Sequence, residues 1–465
     1  MEQKISDEQY RRMTRTPVSR LVVRLGIPTT VSMLVTNIYN LADTAFVGRL
    51  GTSQSGAVGI VFGFMAIIQA FAFMFGQGAG SIAARALGKM DGKKANRFAS
   101  TAFFASLLVG LLITVFGMLF MDPLIRLLGS TPTILPYARE YIFFILLAAP
   151  FMSASLVMNN LMRFEGKAAL SMIGLLAGAV LNIGLDPVLM FGLKLGVTGA
   201  GLSTAVSQCV SFLILLFMFV SGRSQLRLSV REISRDLRDL GNIMATGSPS
   251  LARQGLSSVS TMMLNTHAAV YGDAAVAAMS IVSRISMFIF SVGLGMGQGF
   301  QPVCAFNYGA EKYSRVKSAF WFTVALSEVL MILFGVGAFA FAGPVVSWFR
   351  SDPAVIDIGT RALRYRCLAQ PILPFTTVVA MMLQSSGKRV SAFLLALFRS
   401  GLFFIPTLAV LARLWGLSGI EWAQPVADLL SGIMIVPFLL WFLRGLPADA
   451  PDDRLPEAPL PAAEE

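Results

Sequence analysis

The chain has 465 residues, of which 55% are apolar and only 13% charged, and its mean hydropathy is +0.71. That balance excludes a water-soluble globular protein and requires lipid as solvent. A net charge of +12 would suit a nucleic-acid partner, but 25 of the 37 Lys and Arg residues sort to one side of the membrane, the asymmetry that orients short loops, so no such partner is expected.

Residues 1–20 are polar and basic, and no small-residue cleavage site follows the first apolar run, unlike a secretory leader. They are read as a cytoplasmic segment. A spanning helix needs about 20 mainly apolar residues, and twelve runs qualify: 21–46, 56–82, 98–120, 137–162, 168–190, 198–222, 243–270, 275–303, 318–342, 358–383, 391–412 and 418–444. Their length and continuity differ from the short alternating strands of a barrel, so the fold class is an all-α membrane protein.

The first six spans form a unit over 21–222. The stretch 223–242, RSQLRLSVREISRDLRDLGN, follows; its charges alternate at helical spacing and predict a solvated cytoplasmic linker helix on the lipid headgroups. Six more spans fill 243–444, and the tail 445–465, rich in proline and acid, is expected to be disordered. An even number of spans puts both termini in the cytoplasm, at the inner membrane of a bacterial-type cell.

The two units repeat one another. A shift of 221 residues aligns Pro28 with Pro249, Gly51 with Gly272, Gly88 with Gly309, and Gly76-Gln77-Gly78 with Gly297-Gln298-Gly299. Four of the five prolines between 28 and 167 meet a proline, where 21 prolines in 465 residues give about 0.2 by chance. Six spans per unit make the repeat parallel, with halves related by an axis along the membrane normal and a cavity between them.

Ionisable groups inside a bilayer cost about 2.5–3.5 kcal/mol and mark function by default. Four acids fall within spans: Asp43, Asp186, Glu328 and Asp428. Asp43 lies near the outer end of the first span, after Asn37 and Asn40, with Asn40 three residues back and sharing its face. In the fifth span Asp186 follows Asn182 by four, and Pro187 frees a backbone carbonyl. Two carboxylates at similar depth beside amides can share a proton or coordinate Na⁺. Glu328 and Asp428, in the ninth and twelfth spans, have no Asn/Asp pair at helical spacing.

Other residues carry less. Gly76-Gln77-Gly78-Ala79-Gly80-Ser81 lacks the strand and lysine of a phosphate loop and reads as close helix packing. Cys209, Cys304 and Cys367 have no paired spacing and serve as small apolar fillers, and a single histidine, His267, makes no metal cluster. No catalytic constellation or organic cofactor is indicated.

The segments Ile27-Pro28 and Asn37-Ile38-Tyr39-Asn40-Leu41-Ala42-Asp43-Thr44-Ala45-Phe46-Val47-Gly48, the Gly76-Gln77-Gly78 turn of helix, Asn182-Ile183-Gly184-Leu185-Asp186-Pro187 and Gly196-Val197-Thr198-Gly199-Ala200-Gly201 resemble the multidrug and toxic compound extrusion (MATE) family. The resemblance runs from about residue 17 to 444. It implies a V-shaped pair of six-helix bundles that exports organic cations or drugs, often aromatic, by alternating access against an inward H⁺ or Na⁺ gradient, working as a monomer. In one branch of the family the cation site maps onto Asp43, Asn182, Asp186 and Thr204, and Asn159 and a bend at Pro28 are implied as secondary features. A second branch uses acids in the seventh and tenth spans, which this sequence lacks. Two rivals are a lipid-linked sugar flippase of the same architecture, which wants a strongly cationic cavity where only Arg253 and Arg399 lie deep, and a scaffold or channel, which has no use for paired acids.

Overall fold

The computed structural model describes residues 7–450, and they are helical almost throughout. The first half comprises α1 (Asp7–Arg15), α2 (Val18–Gly48), α3 (Thr52–Gly88), α4 (Gly92–Leu119), the short α5 (Met121–Leu127), α6 (Leu135–Phe164), α7 (Ala168–Pro187), a π-helical turn at Val188–Gly192, and α8 (Gly196–Val220). The second comprises α9 (Leu237–Ala269), α10 (Asp273–Gly309), α11 (Tyr313–Ala340), α12 (Ala342–Phe349), α13 (Pro353–Ala369), α14 (Ile372–Ser385), α15 (Arg389–Leu397), a π-helical turn at Phe398–Phe403, and α16 (Phe404–Arg444).

Among the described residues nine helices are long and apolar enough to cross a membrane, and α13 with α14, bent by 52°, makes a tenth crossing. The long run ending at Arg444 supplies one more. It turns back at Gly416, whose φ of 61° suits glycine, and a Cβ on Gly419 would lie 1.9 Å from the Leu411 carbonyl oxygen, so the two arms pack on one another. The twelfth is α9, which is long enough but made polar by Asn242, Ser248, Ser250, Arg253, Gln254 and Ser257, and which packs against α3 and α15.

Element boundaries recur at the predicted shift. Helices α3 and α10 start at 52 and 273 and end at 88 and 309, and α4 and α11 start at 92 and 313 and end at 119 and 340. Even the left-handed turn residues recur, as Met90 with Glu311 and Gly166 with Gly387. The tenth span differs from its counterpart: α6 runs unbroken through Pro150, whereas Pro371 and Pro374 together remove two backbone donors and the chain breaks between α13 and α14.

The apolar cores show how the halves meet. At the end that carries α1 one core draws on both, through Leu25, Met74, Ile243, Met296 and Phe300. At the other end each half has its own, around Val47, Ile68 and Tyr141 in one and Leu264, Val282 and Leu408 in the other. The molecule is therefore a V, joined at the end holding the termini and split at the other. Glycines make the joint. A Cβ on Gly88 would lie 2.2 Å from the Phe306 carbonyl oxygen, and one on Gly309 would lie 2.1 Å from that of Arg85. The reciprocal pair is what a twofold axis between halves produces. Gly78 and Gly247 similarly sit against Ile243 and Met74. The glutamines between the repeated glycines reach across: Gln77 Oε1 accepts from Ser250 Oγ at 2.7 Å, and Gln298 Oε1 accepts from Arg163. The close-packing reading of the glycine-rich segment holds: Gly76 and Gly80 pack against Asn160 and Phe164 of α6, and Gly78 packs across to the other half.

Several expectations are corrected. The 223–242 connector is not a solvated helix over its length; residues 223–236 are irregular apart from one 3₁₀ turn at Val230–Glu232, and only the last six residues are helical, as the start of α9. The buried Glu165 carboxylate accepts from the Gln225 and Leu226 amides and the Ser224 hydroxyl, pinning it down. Burial pushes the Glu165 carboxyl up, while Lys167 and these donors oppose the shift. Arg163 is no loop cation but is 2% exposed between the halves. Arg366, within the predicted span 358–383, packs inside the second half and pairs with Asp428. At 445–450 the tail is tied down, the Ser314 amide donating to Asp449 at 2.8 Å and the Ala450 amide to the Glu311 carbonyl at 3.1 Å; the rest of that tail and residues 1–6 lie outside the described residues.

Candidate functional site

Three helices of the first half bring the four predicted cation-site residues together. α2 carries Asp43, α7 carries Asn182 and Asp186, and α8 carries Thr204. A spacing of four puts Asn182 and Asp186 on one face. Directly after Asp186, Pro187 ends the regular helix and the chain widens into the π-helical turn, a local distortion that often accompanies functional sites. All four residues are buried, Asp43 at 1% exposure and Asp186 at 0%.

Their hydrogen bonds set which atoms are free. Asn182 Nδ2 faces Ser203 Oγ at 3.0 Å, Asp186 Oδ1 at 3.4 Å and Thr204 Oγ1 at 3.5 Å. Thr204 donates its hydroxyl proton to the Ala200 carbonyl at 3.1 Å. With the amide nitrogen so engaged, Asn182 Oδ1, Asp186 Oδ2 and both Asp43 oxygens are buried with no hydrogen-bond partner. Asp43 and Asp186 are near enough to act on each other electrostatically.

A carboxylate cannot stay buried and unpaired without a cost of several kcal/mol. It must take a proton or a cation. An all-oxygen set with two carboxylates, one amide oxygen and a hydroxyl fits H⁺ or a hard cation such as Na⁺, and offers nothing to a soft metal.

The secondary residues do not join this cluster. Asn37 Nδ2 instead donates to Ser291 Oγ at 2.6 Å, bridging α2 to α10 of the second half. Asn40 is exposed, because three residues leave it about 60° around the helix from Asp43. Asn159 Nδ2 donates to the Ser171 carbonyl at 2.8 Å, about 22 Å along α7 from Asp186, and so ties α6 to α7 near the joined end. Pro28 lies within a continuous α2, also about 22 Å from Asp43. Residues not singled out from sequence complete the site. Tyr39 and Tyr141 lie within electrostatic reach of both carboxylates, and Tyr141 abuts Thr204; Ser203 adds a hydroxyl. Tyr39, four residues before Asp43, was detectable by helical spacing, whereas Tyr141 carries no local signal.

Acids of the second half are different. Asp428 Oδ1 accepts from Arg399 Nε at 3.1 Å and Gln424 Nε2 at 3.0 Å, and Oδ2 pairs with Arg366 at 3.5 Å. Glu421 pairs with Arg361 at 3.4 Å. Glu328 is half-buried on α11.

The MatE family model matches the chain twice, over residues 28–188 and 249–410. Among curated proteins the chain is 27% identical to the multidrug export protein MepA of Staphylococcus aureus, over 94% of this chain and 97% of that protein. It is also 27% identical to MepA of Staphylococcus haemolyticus, over 95% and 97%. Among solved structures, an outward-facing multidrug resistance MATE transporter of the MOP superfamily superimposes with a TM-score of 0.89 at 27% identity, covering 94% of this chain and 98% of that one. A MOP superfamily transporter from Pyrococcus furiosus whose binding pocket has reversed polarity gives 0.89 at 26% identity, over 96% and 99%. Matched in both of its halves and along nearly its whole length, the chain belongs to the MatE family, the multidrug and toxic compound extrusion transporters.

Proposed function

We propose that this protein is a secondary active exporter that drives organic small molecules, drug-like cations among them, out of the cell in exchange for inward-moving H⁺ or Na⁺. The observation that carries the reading is the pair of buried, unpartnered carboxylates at Asp43 and Asp186. A static scaffold gains nothing from them, whereas a coupled transporter needs a site that is stable only when a cation fills it.

The joined end faces the cytoplasm in this reading, because α1 and the basic loop residues Lys89, Lys93, Lys94, Lys312 and Arg315 lie there. Residues 21–222 and 243–444 act as two lobes. With the V open outward, a cation entering from outside reaches Asp43 and Asp186, neutralises them, and lets α2 reorient against α7 and α8. Pro28, which lacks the amide that would hold α2 straight, is where that helix bends. The cavity between lobes then loses affinity for the exported compound, and by linkage the compound lowers the affinity for the cation to the same degree. Return to the inward-facing state requires the glycine contacts at Gly88, Gly309, Gly78 and Gly247 to part.

Dye efflux from an efflux-deficient host under imposed pH or Na⁺ gradients tests this. Efflux should follow one of the two gradients in the wild type. Efflux that ignores both would remove the proposal.

A further inference from the structure

Charge in the second half does not balance. Arg253 on α9 and Arg399 in the π-helical turn line one cavity, together with Ser250, Thr376, Thr377 and Ser400. Arg399 spends only its Nε on Asp428, and its guanidinium lies over the Phe290 ring, 4.6 Å from the centroid. The other Asp428 oxygen is taken by Arg366. Arg253 makes no hydrogen bond and no ion pair among the described residues. Arg366 and Arg399 thus share one carboxylate, while Arg253 has none and lies close enough to Arg399 for the two to repel each other.

Two guanidiniums held together at membrane depth need an anion. Their forked donors match the oxygens of a carboxylate or phosphate. Met381, Leu395, Phe398 and Ile435 are among the other lining residues and suit an apolar body. We propose that this cavity binds an oxyanion carried on an apolar molecule, held between Arg253 and Arg399. It deepens the export reading by adding acidic and zwitterionic compounds to the substrate class, and rests on that reading only for the transport that follows binding. The oxyanion has two sources, the carboxylate of an organic substrate or the phosphate of a lipid.

Binding is measured on the purified full chain in phosphatidylcholine nanodiscs, by the anisotropy of a xanthene dye in its free-acid form and of the methyl ester of the same dye. The two probes differ by one carboxylate. Wild type should bind the acid roughly tenfold more tightly than the ester, the effect of one charge-assisted contact. Arg253→Gln should erase the difference and leave the ester unchanged, and Arg253→Lys should restore part of it. Because Arg253 has no partner, neither substitution orphans another group. Including phosphatidic acid separates the sources: loss of the acid's advantage in wild type, with no effect of the lipid in Arg253→Gln, assigns the site to lipid phosphate. Equal binding of acid and ester by wild type, or equal weakening of both by Arg253→Gln, would overturn the site. These readouts need no ion gradient, so they stand apart from any failure of coupled export.

Discussion

The two halves of the chain share helix boundaries and turn conformations but handle buried charge in opposite ways. In the first, Asp43 and Asp186 lie within electrostatic reach of each other, with three buried carboxylate oxygens that have no hydrogen-bond partner. In the second, Asp428 is bound by Arg366 and Arg399 and Glu421 by Arg361, and the leftover charge is positive. Duplication preserved what the shared axis needs, the glycines that let backbones touch and the glutamines that reach across. It left the polar interiors free to diverge, so one half holds buried, unpartnered carboxylates and the other an excess of guanidiniums.

The same chemical change should therefore have different consequences in the two halves. On the proposed coupling, Asp186→Asn removes an acceptor from the cation site, and gradient-driven dye uptake into vesicles should fall to background with normal expression; wild-type uptake would break the comparison. Next in size, Asp428→Asn leaves two arginines without their anion and should lower stability by about 3–5 kcal/mol. Asp43→Asn, which deletes an unpaired charge, should cost no stability at all. Thermal unfolding in detergent reads both, and a matching loss in the two variants would contradict the contrast. Gly247→Ala drives a Cβ to within 1.8 Å of the Met74 carbonyl oxygen and should cost about 1–3 kcal/mol. Because it pries open the joined end, it should also raise labelling of cysteines placed near Ile243 by a membrane-impermeant reagent added from that side. Smallest is Asn159→Ala, which loses one tie between α6 and α7, about 1 kcal/mol, and should leave the ion dependence of transport untouched.

Most of the architecture was legible in the sequence because spanning helices leave long apolar runs and a duplication leaves prolines and glycines in register. The Asn182–Asp186 pair was legible for a similar reason, as spacing within one helix is local information. What escaped was set by contacts between distant segments. The connector's charges alternate as a helix would, yet Glu165, some sixty residues earlier, captures amides at its start and keeps that stretch irregular. Nothing local to Arg163 or Arg366 points to Gln298 and Asp428, the partners that the fold brings to them. Asn159, implied only as a secondary feature, sits near the far end of α7 from Asp186, where it donates to the Ser171 carbonyl.

The division of labour between halves is tested most directly by measuring dye affinity as a function of Na⁺ concentration and of pH for the wild type, Asp43→Asn, Asp186→Asn and Asp428→Asn in nanodiscs. The wild type should lose dye affinity as its coupling ion is added. Both first-half variants should lose that dependence, and Asp428→Asn should keep it. Dependence retained in Asp186→Asn and lost in Asp428→Asn would place the coupling site in the wrong half and contradict the mechanism.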